Sequence, residues 1–216
     1  MKDSEPPLTP KLLLQAYQVG IFPMSEGRND PDVFWVDPKM RGIFPLNGFR
    51  ITRSLAKHMR KGTLTVTADA AVHDVMRGCA DRDDTWINET IFALYGALFQ
   101  QGHAHSIEVW ENNRLVGGVY GVTIRAAFFG ESMFSKSTSA SKVALAYLVD
   151  RLRAGGFQLF DTQFLTQHLA SLGAVEIPRV TFQKMLANAL SADADFGTQG
   201  PIPTAQDVIQ RNAQMS

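Results

Sequence analysis

The sequence holds a single cysteine, Cys79, among its 216 residues. One thiol excludes an intrachain disulfide and a CxxC redox or zinc motif, and it suits a reducing compartment. No sign of charge dominates: 21 basic against 21 acidic residues leave a formal net charge of zero. General attraction to a polyanion is thereby excluded, and any contact with nucleic acid must come from a local basic patch. No stretch is long and apolar enough to span a bilayer. The opening residues MKDSEPPLTPKLLLQAYQ carry Asp3 and Glu5 early and lack the apolar core of a secretory signal, so a cytoplasmic chain is expected. Glycine-rich phosphate loops of the Walker or dinucleotide type are missing as well. His103-Ala104-His105 has no cysteine or carboxylate cluster to complete a metal site, so no metal is expected. What remains is an ordinary globular composition, 45% hydrophobic and 19% charged, in a chain long enough to bury a substantial core.

Proline and glycine divide this chain. Residues 1–9 read as a loose arm. Thr9-Pro10 has the form of an N-cap and a first-turn proline, opening a helix Lys11–Gln18 that stops at Gly20. Pro23, Pro31, Pro38 and Pro45 exclude long helices from 21–49 and favour short strands and turns, so residues 1–50 are expected to form a small N-terminal domain. The spacing then predicts a helix over Thr52–Lys61, a strand at Leu64–Thr67, and a helix over 70–79 capped by Asp69. It also predicts a helix Thr90–Gln101 with Ile91, Leu94, Tyr95 and Leu98 on one face. Ser106–Trp110 and Leu115–Val122, joined by Glu111-Asn112-Asn113-Arg114, read as a hairpin that Ala126–Gly130 extends. Leu145, Leu148, Val149 and Leu152 give Lys142–Arg153 an amphipathic face, Gly155-Gly156 end that helix, and Phe157–Thr162 reads as a strand. A helix Thr181–Ala192 and a polar tail, 195–216, complete the chain. The sum is an α+β fold with a mixed, mostly antiparallel sheet. Its order from about residue 70 matches the acyl-CoA N-acyltransferase-like (GNAT) architecture, assigned here to residues 51–194.

Four groups of residues carry chemistry. Asp161-Thr162-Gln163 closes a predicted strand; residues two apart in an extended chain share a face, so a carboxylate and an amide would stand together to orient a reacting amine. The same pair would also serve as an ordinary polar strand end. Glu131, between apolar strand residues and the small-residue loop that follows, is a candidate buried carboxylate, or else a solvated strand end. Arg50, Arg53, Lys57, Arg60 and Lys61 occupy a stretch without acidic residues, and Arg53, Lys57 and Arg60 or Lys61 would line one helix face at 3–4 spacing, suited to a phosphate backbone or simply to solvent. Trp35 and Trp86, with Phe22, Phe34 and Phe44, offer base-stacking surfaces or core. The loop Ser135–Ser141 lacks the glycine-rich pyrophosphate cradle of an acetyl-CoA enzyme.

In collinear order the chain carries Ala16-Tyr17-Gln18-Val19-Gly20-Ile21-Phe22-Pro23, Gly102-His103-Ala104-His105-Ser106-Ile107-Glu108-Val109-Trp110, Gly117-Gly118-Val119-Tyr120-Gly121-Val122 and Phe129-Gly130-Glu131-Ser132-Met133-Phe134-Ser135. Ala140-Ser141-Lys142 follows, then Asp161-Thr162-Gln163, His168 and Ala170-Ser171-Leu172-Gly173-Ala174. Over residues 11–190 this set resembles the leucyl/phenylalanyl-tRNA–protein transferase family. The resemblance implies transfer of Leu or Phe, and less well Met, from charged tRNA to proteins that begin with Arg or Lys, marking them for N-degron degradation. It implies no metal, CoA or other cofactor, and a monomer is expected.

Carried over residue by residue, the resemblance makes Asp161 and Gln163 a catalytic pair and Glu131 a carboxylate near the aminoacyl ester. Val119, Gly130, Met133, Leu145, Leu148, Leu152 and Phe160 would line the side-chain pocket, and Trp86 and Met24 would contact the 3′-adenosine. The basic run 50–61 would hold the acceptor stem. The chain departs from the family pattern at Met24, where Trp is usual, and at Ser139 and Thr166, where Asn is expected. Two rival readings stand beside this one. A peptidoglycan-type aminoacyl-tRNA transferase on the same fold would be expected to duplicate its domain. A noncatalytic RNA-binding module would need the basic run and the tryptophans but not Asp161, Gln163 or Glu131.

Overall fold

Short polar side chains set where the helices begin. In the computed structural model, which describes residues 8–197 and 200–214, Thr9 accepts the Leu12 N–H at the head of α1 (Pro10–Gln18). Thr52 does the same for α2 (Arg53–Met59), and Asn88 for α4 (Glu89–Gln100). Each cap satisfies a backbone donor that the helix itself leaves open. The expected Asp69 cap of α3 (Val72–Ala80) is not made. Asp69 adopts φ +56° and turns its carboxylate to the Ser106 N–H (2.8 Å), while the buried Glu108 accepts the Ala70 and Ala71 N–H groups (3.4 Å each) instead. A carboxylate on a neighbouring strand has replaced the local cap, which sequence spacing does not reveal.

The strands build a two-stranded hairpin, β1 (Phe22–Met24) with β2 (Phe34–Val36), and a seven-stranded sheet. The large sheet runs β4 (Leu64–Ala68), β5 (Ala104–Glu111), β6 (Arg114–Ile124), β7 (Ala127–Ser135), β8 (Leu159–Gln163), β3 (Met40–Ile43), β9 (Val175–Pro178). All neighbours are antiparallel except β7 and β8. Asn112 and Asn113 both take positive φ, +52° and +60°, at the β5–β6 turn. That is the geometry whose twist matches a two-residue hairpin, and Asn tolerates it. The helix α5 (Ala140–Ala154) makes the crossover between the two parallel strands.

Alternation along the strands loads both faces of the sheet. Val119, Phe128 and Phe160 point into a core shared with α2, α5 and α8 (Ala205–Gln214). Tyr120, Phe129 and Leu159 point into a second core shared with α1, α3, α4 and α7 (Arg179–Leu190). Each such aromatic or aliphatic side chain contributes roughly 1.5–3 kcal/mol of burial. The tail expected to be merely polar contains α8, whose Val208 and Ile209 are buried and whose Arg211 pairs with Asp150 (2.6 Å). Only three buried residues, Val208, Ile209 and Asn212, one of them polar, make too thin a stripe to read from sequence. β9 and the short α6 (Gln167–Ser171) were likewise not expected. Among the described residues no helix is long and apolar enough to cross a membrane.

Candidate active site

The paired register of β7 and β8 ends at Phe129–Asp161. Beyond it the two strands leave a cavity of about 260 Å³ between them. Two local irregularities hold them apart. In β7, Tyr120 of β6 faces Ser132 and Gly121 faces Gly130, so Glu131 has no cross-strand partner and forms a bulge. A bulge re-aims the side chain at the extra residue, and here Gly130, Glu131, Ser132 and Met133 all reach the cavity wall. In β8, Gln163 takes φ +56°, which turns the chain away from the sheet. Opposite it on β3 lies Gly42, where a Cβ would meet the Phe164 carbonyl carbon at 2.6 Å, so the turn needs a glycine beneath it.

Glu131 is buried and receives three neutral donors. Tyr17 Oη gives to Oε1 (2.7 Å), Tyr95 Oη to Oε2 (2.8 Å), and Gln163 Nε2 to Oε1 (3.1 Å). Burial pushes this carboxyl up from 4.5 to about 7, although the two tyrosine bonds pull the other way. Burial and the nearby Glu131 keep both tyrosines protonated, as donors. Asp161 is also buried but meets a cation. Arg41 Nε and Nη2 bind its two oxygens at 2.9 and 2.6 Å, and Oδ1 additionally accepts the Gln163 backbone N–H at 2.9 Å.

The apolar part of the cavity is lined by Val119, Met133, Leu145 and Phe160, with Gly130 beside them, and Met24 and Trp86 stand at the same wall. A Cβ on Gly130 would meet Phe160 at 2.8 Å, so glycine keeps that ring in place. Cys79 is buried, its thiol pushed up to about 12, which leaves no thiolate for chemistry. Among the described residues no group of three or more His, Cys, Asp or Glu could hold a metal ion.

Against known sequences, the profile described as leucyl/phenylalanyl-tRNA protein transferase matches residues 43–187, and that of its N-terminal domain matches 7–39. The chain belongs to the leucyl/phenylalanyl-tRNA–protein transferase family. It is therefore an aminoacyltransferase. Relatives bearing that name from Cereibacter sphaeroides and Ruegeria pomeroyi are 62% and 61% identical, over 98% and 97% of this chain and 99% of their own length. The crystal structure of FemX aligns with a TM-score of 0.51 at 12% identity, over 77% of this chain and 66% of FemX. That likeness concerns the fold, which is the GNAT-like α+β arrangement expected above.

Of the residues that the transferase resemblance singled out, the cavity gathers Met24, Trp86, Val119, Gly130, Glu131, Met133, Leu145, Phe160 and Gln163. Leu148 and Leu152 do not join its wall; they lie a turn or two further along α5, in the core behind it. Asp161 does not line the cavity either. The shared face expected for Asp161 and Gln163 fails because Gln163 is not extended: its side chain swings to Glu131 while Asp161 faces Arg41. Phe160 reaches the wall because strict alternation holds up to that point. Arg50, Arg53, Lys57, Arg60 and Lys61 are all exposed, with none in an ion pair among the described residues; Arg60 bonds Gln206 (3.0 Å).

Tyr17, Tyr95 and Arg41 went unrecognised from sequence. Tyr17 lies inside the Ala16–Pro23 stretch that carried the resemblance, and Tyr95 was read as core on the apolar face of α4, so both were within reach. Arg41, one of several cations in a proline-rich segment, carried no signal.

Proposed function

We propose that this chain transfers Leu or Phe, and less well Met, from aminoacyl-tRNA to the N-terminal Arg or Lys of acceptor proteins. The reaction is ester aminolysis, and it marks the acceptor for N-degron degradation. The observation that carries the reading is the position of Glu131 and Gln163: a buried polar edge on a largely apolar cavity, in a chain of the transferase family. The esterified side chain would enter between Val119, Met133, Leu145 and Phe160, with the 3′-adenosine against Trp86 and Met24. The exposed stripe Arg50, Arg53, Lys57, Arg60 and Lys61 would hold the acceptor stem, where each phosphate contact adds salt-sensitive affinity.

The acceptor's α-amino nitrogen attacks the ester carbonyl carbon, a C–N bond forms, and the bond to the ribose oxygen breaks. The amine loses a proton and the ribose oxygen gains one, with the neighbouring ribose hydroxyl as relay. An α-amino group titrates near 7.7–8.0, so a useful fraction of it is neutral at about pH 7. A carboxyl at about 7 is close enough to exchange a proton with it. Holding the two substrates together accounts for much of the acceleration, up to about 7–11 kcal/mol. In this reading Gln163 and Glu131 touch the reacting groups, and Asp161 acts from behind Gln163. The chain works in the cytoplasm as a monomer, without metal or cofactor, with a small N-terminal unit that ends before β3 (Met40–Ile43) joins the large sheet and a GNAT-like unit whose core includes α8 of the tail.

The test is transfer of labelled amino acid from Leu-, Phe-, Met- and Ile-tRNA to a peptide beginning with Arg. Leu and Phe should transfer fastest and Ile poorly, because a β-branched chain fits a rigid helix wall badly and pockets discriminate by about 1–3 kcal/mol per methylene. Absence of transfer with every charged tRNA defeats the reading. Faster transfer from Ile than from Leu defeats the pocket assignment.

A further inference from the structure

We propose that Arg41 is a positioning residue for the transfer reaction, acting through Asp161 to hold Gln163 in the one backbone conformation that aims its amide at Glu131. The inference rests on the aminoacyl-transfer reading and deepens it.

The starting observation is strain. A non-glycine residue at φ +56° costs about 1–2 kcal/mol relative to the right-handed or extended regions, so something must hold Gln163 there. The local device is the Asp161 carboxylate, whose Oδ1 accepts the Gln163 N–H at 2.9 Å, a turn that Asp makes with its own chain two residues on. An aspartate alone rotates about two torsions and would make this bond only part of the time. Arg41 removes that freedom. Its Nε and Nη2 grip both carboxylate oxygens in the planar two-point arrangement that only a guanidinium offers.

The guanidinium is itself fixed on every side. Nη1 gives to the Gly20 carbonyl at 2.9 Å, and the rings of Phe22 and Phe182 cover it at 4.6 and 4.4 Å. Arg41 is 1% exposed and Asp161 0%. A buried ion pair of this kind is poor value as a source of stability, since desolvation consumes most of the attraction. Its geometric effect is larger: the chain from Gly20 through Arg41 and Asp161 to the Gln163 amide and Glu131 is continuous, and every link is a hydrogen bond of 2.6–3.1 Å. Phe22 belongs to it twice, because it covers Arg41 and also lines the cavity.

The test compares single-turnover transfer rates at saturating substrates for the wild type, Arg41→Lys, Gln163→Ala and the double variant, with tRNA affinity and far-UV circular dichroism alongside. Arg41→Lys keeps the charge but loses the two-point grip. Its rate should fall by about 10- to 100-fold, the scale of a small misplacement of a reacting group, with tRNA affinity unchanged. In the Gln163→Ala background the same change should add less than about twofold, since residues acting through one group are not additive. A purely structural role would lower the rate equally in both backgrounds, and that result overturns the proposal, as does a folded Arg41→Lys with wild-type rate. Should Arg41→Lys not fold, Arg41→Met with Asp161→Asn removes both charges together and is measured in the same cycle with the same two criteria. Failure of the wild type to transfer at all would instead strike the aminoacyl-transfer reading.

Discussion

Two buried carboxylates stand on adjacent strands of this site, and their surroundings are opposite. Asp161 is met by a guanidinium at two points, so its charge is neutralised where it sits. Glu131 is met only by hydroxyls and an amide, so burial dominates and its carboxyl rises to about 7. A carboxylate gripped at two points is fixed in direction, whereas a buried one held by neutral donors is able to take or release a proton near neutral pH. In the proposed reaction the two acids would have different tasks: Asp161 would set geometry behind the wall, and Glu131, which lines the cavity, would exchange a proton. Residue type alone does not separate them; the partners do.

The largest expected effect tests the Glu131 side. Glu131→Gln retains an oxygen for the tyrosines but cannot exchange a proton. Transfer should fall by roughly 10²- to 10⁴-fold, the usual range for a lost acid–base group. The wild-type rate should also rise as pH increases through about 7, as the carboxyl gives up its proton; in the variant this limb should vanish and leave only the later rise as the acceptor amine deprotonates near about 7.7–8.0. A wild-type rate flat from pH 6 to 8 would remove the distinction between the two carboxylates.

The next effect tests the Asp161 side without touching either acid. Gly42→Ala puts a Cβ within 2.6 Å of the Phe164 carbonyl carbon, forcing the 163–165 turn to move. A shift of about 1 Å in a positioned group costs on the order of 10²-fold in rate. Transfer should fall by that much while the pH limb stays near 7, because Glu131 keeps its own donors from Tyr17 and Tyr95. Unchanged activity would show that the Gln163 turn tolerates displacement.

The contrast between the two regions also marks how far sequence carries. The helices with local signals came through: Thr9 caps as its position suggests, and the face of α5 that holds Leu145, Leu148 and Leu152 is buried throughout. Collinear motifs brought Glu131, Gln163 and most of the cavity wall onto the page. The opposite surroundings of the two acids were out of reach, because they depend on Arg41, 120 residues from Asp161 in the chain, and on Tyr17, 114 residues from Glu131. The irregularities that open the cavity, the bulge at Glu131 and the positive φ of Gln163, are departures from the alternation on which strand reading relies. Leu148 and Leu152 show the converse limit: a helical face is legible, but which of its residues borders a void depends on where the neighbouring strands part.

The smallest effect sharpens the comparison most. Tyr95 Oη gives Glu131 one of its three hydrogen bonds and thereby favours the charged form. Tyr95→Phe deletes that donor and leaves the ring, which stands edge-on to Tyr120 at 5.7 Å, free to keep its packing. With less support for the carboxylate, its pKa must go up, so the rising limb of the pH–rate profile should move to higher pH. A hydrogen bond to a charged group is worth about 1.5–3 kcal/mol and one pH unit corresponds to about 1.4 kcal/mol, so a displacement of roughly one to two units is expected. Above the displaced limb the plateau rate should stay close to wild type, since the hydroxyl is not assigned a contact with substrate. A limb that moves to lower pH contradicts the sign of the argument, because it would mean that the tyrosine had been supporting the protonated acid. A plateau that collapses while the limb stays at about 7 would move Tyr95 from the support of Glu131 into contact with the substrate itself.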